Sequence, residues 1–129
     1  MSLAQNLHVM VVDDTYVSRA LIVDTLDQLG VRNVAVAKDG TEALKALMAK
    51  PVHLVISDMN MPGLDGLALL KALREYKTTA RIGFILVTGS ADKTLIDRGR
   101  VIGLNNYVKK PITAMSMKSA IESVVGKLA

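Results

Sequence analysis

Five short apolar runs alternate with helical patterns along this chain, and that alternation sets the fold class. The runs cover residues 7–12, 34–37, 52–57, 82–87 and 106–109. Runs of this length, bounded by polar and turn residues, read as buried strands. Between them the apolar residues take helical spacing. Ile22, Leu26 and Leu29 share a face, and Gly30 stands where a glycine ends a helix. Ala43, Leu44, Leu47 and Met48 form a second stripe. Asp39 lies three residues before Glu42, the spacing of a capping box. Leu69, Leu70 and Leu73 mark a third helix, and Pro51 precedes the third strand rather than interrupting it. A fourth, over residues 92–101, is the least regular, because a glycine such as Gly99 costs a helix ~1 kcal/mol relative to alanine. The last is the clearest: Met117, Ala120, Ile121, Val124, Val125 and Leu128 keep a helical step. Strands alternating with helices imply parallel βαβ units with right-handed crossovers. The connections are short and no repeat, linker or low-complexity tract interrupts them. A single domain over residues 1–129 is expected.

A chain of 129 residues can bury a real core. No stretch approaches the ~18 apolar residues that span a bilayer. The first six residues, Met1-Ser2-Leu3-Ala4-Gln5-Asn6, have neither a basic nor an apolar leader region, so no membrane association is expected. The absence of cysteine excludes disulfides and thiolate metal sites and suits a cytoplasmic protein. The net charge is +4, but the basic residues are scattered and aromatics make up only 3%. That pattern does not give a nucleic-acid face.

Chemistry concentrates where strands end. Asp13 and Asp14 close the first run and Asp58 closes the third. In an open parallel sheet, sites form in the crevice beyond the carboxyl ends of the strands. Three carboxylates gathered there repel one another, and a hard divalent cation such as Mg²⁺ relieves that repulsion. Asp58 is expected at the strand end, exposed above the sheet. Pro62 and Gly63 then make a turn and Gly66 allows a tight helix start. A carboxylate attacking a phosphoryl group gives an aspartyl phosphate. That reaction needs a cation on the phosphoryl oxygens, a nearby positive charge and hydrogen-bond donors. The other strand ends supply them. The Thr88 hydroxyl can donate, with Gly89 permitting close backbone approach. The Lys110 ammonium is a compact charge, and its bond to Pro111 is of the kind that can be cis.

Taken singly, each residue has a plainer reading. Asp13 and Asp14 would be a polar strand end, Thr88 a cap for the next helix, Lys110 a solvated lysine and Tyr107 a half-buried strand tyrosine. Their convergence on successive strand ends favours a site. His8 and His53 lie away from those ends and are assigned no role. The seven methionines read as filler, and Asp65 as a helix cap.

Asp13-Asp14, Asp58, Thr88 and Lys110-Pro111 resemble, in order and spacing, the signature of receiver domains of two-component response regulators. The resemblance covers roughly residues 7–125. The run Ile56-Ser57-Asp58-Met59-Asn60-Met61-Pro62, then Leu64-Asp65-Gly66, is most similar to the stand-alone CheY-like group, as is Tyr107 ahead of Lys110. The resemblance implies a doubly wound (βα)5, flavodoxin-like α/β fold with strand order 2-1-3-4-5. It implies Asp58 as phosphoacceptor, with Asp14, Asp58 and the Asn60 backbone carbonyl as direct Mg²⁺ ligands and Asp13 acting through water. Thr88 and Lys110 would hold the phosphoryl group, and Thr88 with Tyr107 would form a two-state switch. Asn60 and Ser90 would flank the path of a hydrolytic water. The fourth helix, fifth strand and fifth helix would form the readout face.

The partners implied are a histidine kinase and a downstream protein, the flagellar motor switch among the candidates. A cytoplasmic monomer is implied, with no enzymatic activity beyond phosphorylation and dephosphorylation of its own aspartate. The chain ends at Ala129 after the last helix, so output through protein binding is expected. A phosphate sink, a relay intermediate and a phosphorylation-independent binding module are the alternatives. The fourth helix departs from the family: Asp92-Lys93-Thr94-Leu95-Ile96-Asp97-Arg98-Gly99-Arg100 is charged where relatives are often alanine-rich. Lys109 adds charge beside Lys110. A phosphatase of the haloacid dehalogenase type would need an acid two residues after its nucleophile, where this chain has Asn60, and a cap domain.

Overall fold

The apolar runs become five parallel strands, each followed by a helix. In the computed structural model, which describes residues 2–90 and 92–128, the strands are β1 (His8–Val12), β2 (Asn33–Ala37), β3 (Leu54–Asp58), β4 (Gly83–Thr88) and β5 (Asn106–Lys109). The helices are α1 (Leu3–Asn6), α2 (Tyr16–Gln28), α3 (Gly40–Ala49), α4 (Gly66–Glu75), α5 (Lys93–Ile102) and α6 (Ala114–Val125). The sheet order is β2-β1-β3-β4-β5, as expected. Helix α1 was not expected. It is a single turn, too short for periodicity, seated where Ala4 N–H bonds the Leu128 carbonyl at 3.2 Å.

Alternation along the strands divides the core in two. Val9, Val11, Ile56 and Ile85 face α2 and α6, meeting Ile22, Leu26, Met117 and Ile121. Met10, Val12, Val55 and Phe84 face the other side, meeting Leu47, Leu69, Leu70 and Leu73. Strands β3 and β4 are buried throughout. Both run to their last polar residue, so Asp58 and Thr88 belong to strands rather than to the loops after them.

The caps follow the sequence with one correction. Asp39 accepts from Glu42 N–H at 2.7 Å and Asp65 from Ala68 N–H at 2.8 Å. The cap of α5 is Asp92, which accepts from Leu95 N–H at 2.8 Å, and not Thr88. Thr88 lies within β4, four residues too early. Gly30 ends α2 with φ +85°.

At the amino-terminal end of the sheet, half-buried Arg74 clamps two helix ends to the strands. Its Nη1 donates to the Ala80 and Ile82 carbonyls at 3.1 and 2.7 Å. Its Nη2 donates to the Gly103 carbonyl and Asn105 Oδ1 at 2.9 and 3.1 Å. Asn105 Oδ1 also accepts from Phe84 N–H at 2.8 Å. No sequence signal pointed to this residue. Among the described residues, no helix is long and apolar enough to cross a membrane.

Candidate functional site

The carboxyl ends of β1, β3, β4 and β5 converge on one acidic crevice. Asp13, Asp14 and Asp58 each offer a carboxylate oxygen, and these three atoms lie within 4.8 Å of one another. Their environments differ. Asp14 is exposed. Asp13 is fully buried and tied to the start of α2. Its Oδ1 accepts from Thr15 N–H at 2.9 Å and its Oδ2 from the Ser18 hydroxyl. Arg19 Nη1 donates to its backbone carbonyl at 2.8 Å. Ser18 and Arg19 carried no signal in the sequence, since both belong to an ordinary helix turn.

Asp58 is 5% exposed, which corrects the expectation of an exposed carboxylate above the sheet. The loop after it folds back over the strand end. Met59 N–H bonds the Val87 carbonyl, and Gly66 N–H bonds the Met59 carbonyl, both at 2.9 Å. This return needs glycine at the start of α4. A Cβ on Gly66 would sit 2.7 Å from the Asp58 carbonyl oxygen and 3.0 Å from Met59 Cα.

Lys110 Nζ lies 3.0 Å from Asp58 Oδ1. The two form an ion pair, yet no donor among the described residues is aligned on Oδ1 as a hydrogen bond. Burial pushes the Asp58 carboxyl above its ordinary value. The Lys110 ammonium pulls it part of the way back, the Asp13 charge raises it, and Met59 N–H lowers it slightly. A buried carboxylate oxygen without an aligned donor, beside two more carboxylates, is a donor set that fits a hard divalent cation.

Lys110 is held by its own backbone, whose N–H bonds the Thr88 carbonyl at 2.8 Å. The Lys110–Pro111 peptide is cis. Thr88 is 2% exposed. Its hydroxyl donates to the Ser90 carbonyl at 3.1 Å and accepts from Ser90 N–H at 3.2 Å. It is thus engaged within its own loop, not free to donate elsewhere without an exchange. Tyr107 is half-buried on β5, opposite Leu86 and against the α3–α4 side of the core. Asn60 and Ser90 are exposed at the rim. His8 and His53 meet at the far end of the sheet, where His8 N–H donates to His53 Nδ1 at 3.0 Å.

A doubly wound sheet of this order with an acidic crevice, a strand-end threonine and a lysine defines a class of signalling domain. The family model described as "Response regulator receiver domain" matches residues 9–122, and the chain belongs to that family. Among individual proteins, it is 43% identical over 128 residues to a probable chemotaxis protein CheY of Rhizobium etli, covering 99% of each chain. It is 36% identical to the chemotaxis protein CheY of Pseudomonas aeruginosa, covering 92% of this chain and 95% of that one. Among solved structures, Vibrio cholerae CheY4 superposes with a TM-score of 0.85 at 26% identity, over 92% of this chain and 98% of that one. The receiver domain of a Pseudomonas aeruginosa sensor histidine kinase, solved with a magnesium ion coordinated in its active-site cleft, superposes with a TM-score of 0.83. Its 23% identity, over 94% of this chain and 98% of that one, speaks for the fold.

Proposed function

We propose that this chain, as a single receiver domain over residues 1–129, accepts a phosphoryl group from a histidine kinase onto Asp58 and signals by binding another protein in a chemotaxis pathway. The observation that carries this reading is the state of Asp58. It is buried, carries an oxygen with no aligned donor, and lies 3.0 Å from Lys110. The CheY relatives support the chemotaxis assignment, and a cytoplasmic monomer is the form in which we expect it to act.

Asp14, Asp58 and the Asn60 backbone carbonyl would hold Mg²⁺ directly. Asp13 would act through water, which suits a carboxylate whose two oxygens already accept from Thr15 and Ser18. Bound there, the cation supplies charge neutralisation at the phosphoryl oxygens. Asp58 is the nucleophile. Lys110 moves its charge contact from Asp58 to the phosphoryl group once the carboxylate becomes an acyl phosphate. Thr88 exchanges the Ser90 carbonyl for a phosphoryl oxygen. That exchange frees Ser90 from Thr88 and makes room for Tyr107 to turn inward. The α5–β5–α6 face then reads out the state, to a target such as the flagellar motor switch. This is a two-state element biased by a local change of charge.

Incubation with a small phosphodonor, with and without Mg²⁺, followed by intact-mass measurement, tests the reading. A single Mg²⁺-dependent adduct is expected in the wild type and none in Asp58→Asn. Labelling that persists in Asp58→Asn would move the acceptor elsewhere. A wild type that neither labels nor binds beryllofluoride would leave a phosphorylation-independent binding module.

A further inference from the structure

The phosphoacceptor crevice is flanked by two unlike cavities. On the Lys110 side, an open hollow of about 400 Å³ is lined largely by apolar groups including Leu21, Ile22, Val87 and Ile112. On the Thr88 side, a cleft of about 700 Å³ separates the strand-end loops from α5. One wall carries Asn60, Thr88 and Ser90; the other carries Thr94, Leu95 and Arg98. That volume is in the range of small-molecule sites.

Arg98 is the feature of this cleft that the signalling role leaves unused. It stands one helical turn after Thr94, on the same face of α5. Among the described residues the only ion pairs are Arg32 with Asp27 and Lys110 with Asp58, so Arg98 pairs with no carboxylate. Asp92, which also lines the cleft, already caps Leu95 N–H through its Oδ1. Arg19, Arg32 and Arg74 all have partners. Arg81 and Arg100 do not line the cleft. An unpaired guanidinium across from Asn60 and Ser90 presents a planar fork suited to a carboxylate.

We propose that this cleft is the leaving-group site for a small acyl phosphate, with Arg98 receiving the acyl carboxylate. The inference rests on Asp58 being the acceptor. In the reaction, an Asp58 oxygen attacks phosphorus and the bond from phosphorus to the acyl oxygen breaks. The electron pair of that bond leaves with the acyl group, which departs as a carboxylate anion; no proton moves. In-line displacement sends the leaving group to the side of phosphorus opposite Asp58, where Asn60 and Ser90 border the cleft. Arg98 would then meet a negative charge that grows as the bond breaks, so its effect falls on the transition state.

The test compares two donors that differ in that charge. Acetyl phosphate loses acetate, whereas phosphoramidate, protonated on nitrogen, loses neutral ammonia. Second-order labelling rate constants would be measured by intact mass in the wild type, Arg98→Ala and Arg98→Lys, with Mg²⁺ present. The ratio of the acetyl phosphate constant to the phosphoramidate constant is expected to fall about five-fold in Arg98→Ala, as for one charge-assisted contact at a solvent-open site. Arg98→Lys, which keeps the charge but lacks the fork, should restore only part of it, and beryllofluoride should bind all three proteins alike. An unchanged ratio, or equal slowing with both donors, would overturn the inference while leaving Asp58 as acceptor. A wild type labelled by neither donor would overturn the receiver reading and this inference with it.

Discussion

Asp58 and Arg74 are two charges withdrawn from water at opposite ends of the same sheet, and the fold treats them oppositely. Burial pushes the Asp58 carboxyl up and the Arg74 guanidinium down, in each case disfavouring the charged form. At the amino-terminal end, Arg74 meets three carbonyls and the Asn105 side chain. Those bonds offset its desolvation and engage both of its terminal nitrogens. At the carboxyl-terminal end, Asp58 Oδ1 meets one ammonium and no aligned donor. The unsatisfied end is the one that can gain from a ligand. Buried polar groups are normally hydrogen-bonded, so the exception locates chemistry and the rule locates structure.

The largest effect should come from breaking the satisfied end. Arg74→Ala removes four hydrogen bonds and strands carbonyls ahead of β4 and at the end of α5, and should lower the unfolding free energy by about 3 kcal/mol in urea titration. A loss below about 1 kcal/mol would mean that water replaces the clamp and the two ends are not opposites. Next, Mg²⁺ at ten times its dissociation constant should stabilise the wild type by ~1.4 kcal/mol. Asp14→Asn should need far more Mg²⁺ for the same rise in Tm.

Removing the charge at the unsatisfied end should help the metal-free protein. Asp58→Asn is expected to gain about 1 kcal/mol at neutral pH. The sign follows from the raised carboxyl: the stability that Asp58 contributes is fully present below its unfolded value of 3.8 and is lost as pH rises through the folded value. The gap between variant and wild type should therefore close below pH 3.8 and open above it. A gap independent of pH would detach it from ionisation. The smallest effect belongs to α5: Asp92→Ala deletes one cap and should cost about 0.5–1 kcal/mol by thermal melting.

The same contrast separates what could be read from the sequence from what could not. Strands and helices were legible because burial on both faces of a parallel sheet writes itself into periodicity. Residues at strand ends were legible because carboxylates closing apolar runs are otherwise hard to explain. The burial of Asp58 was not, since it depends on a loop folding back over Gly66. Arg74 was invisible for a related reason. Its partners are mostly backbone carbonyls brought together from two segments, and a carbonyl has no letter in the sequence. Ser18 and Arg19 bind Asp13 across one helix turn and look like any other helix surface. The charged character of α5 was legible, but the cleft that gives Arg98 a setting exists only once α5 is packed.

The parallel register has a consequence for how such a chain can change. Asp58 pairs with Val87, and Thr88 with Lys109, one residue before Lys110. The strands thus act as rulers that measure out the site. One residue inserted in β4 would carry Thr88 along by about 3.3 Å and turn its side chain to the opposite face. The loops and the exposed side of α5 keep no such measure. Partner choice can therefore drift by substitution, or even by exchange of surface segments, while the lengths of β3, β4 and β5 stay fixed. The site is held as a set of distances, and specificity is free to vary as a set of side chains.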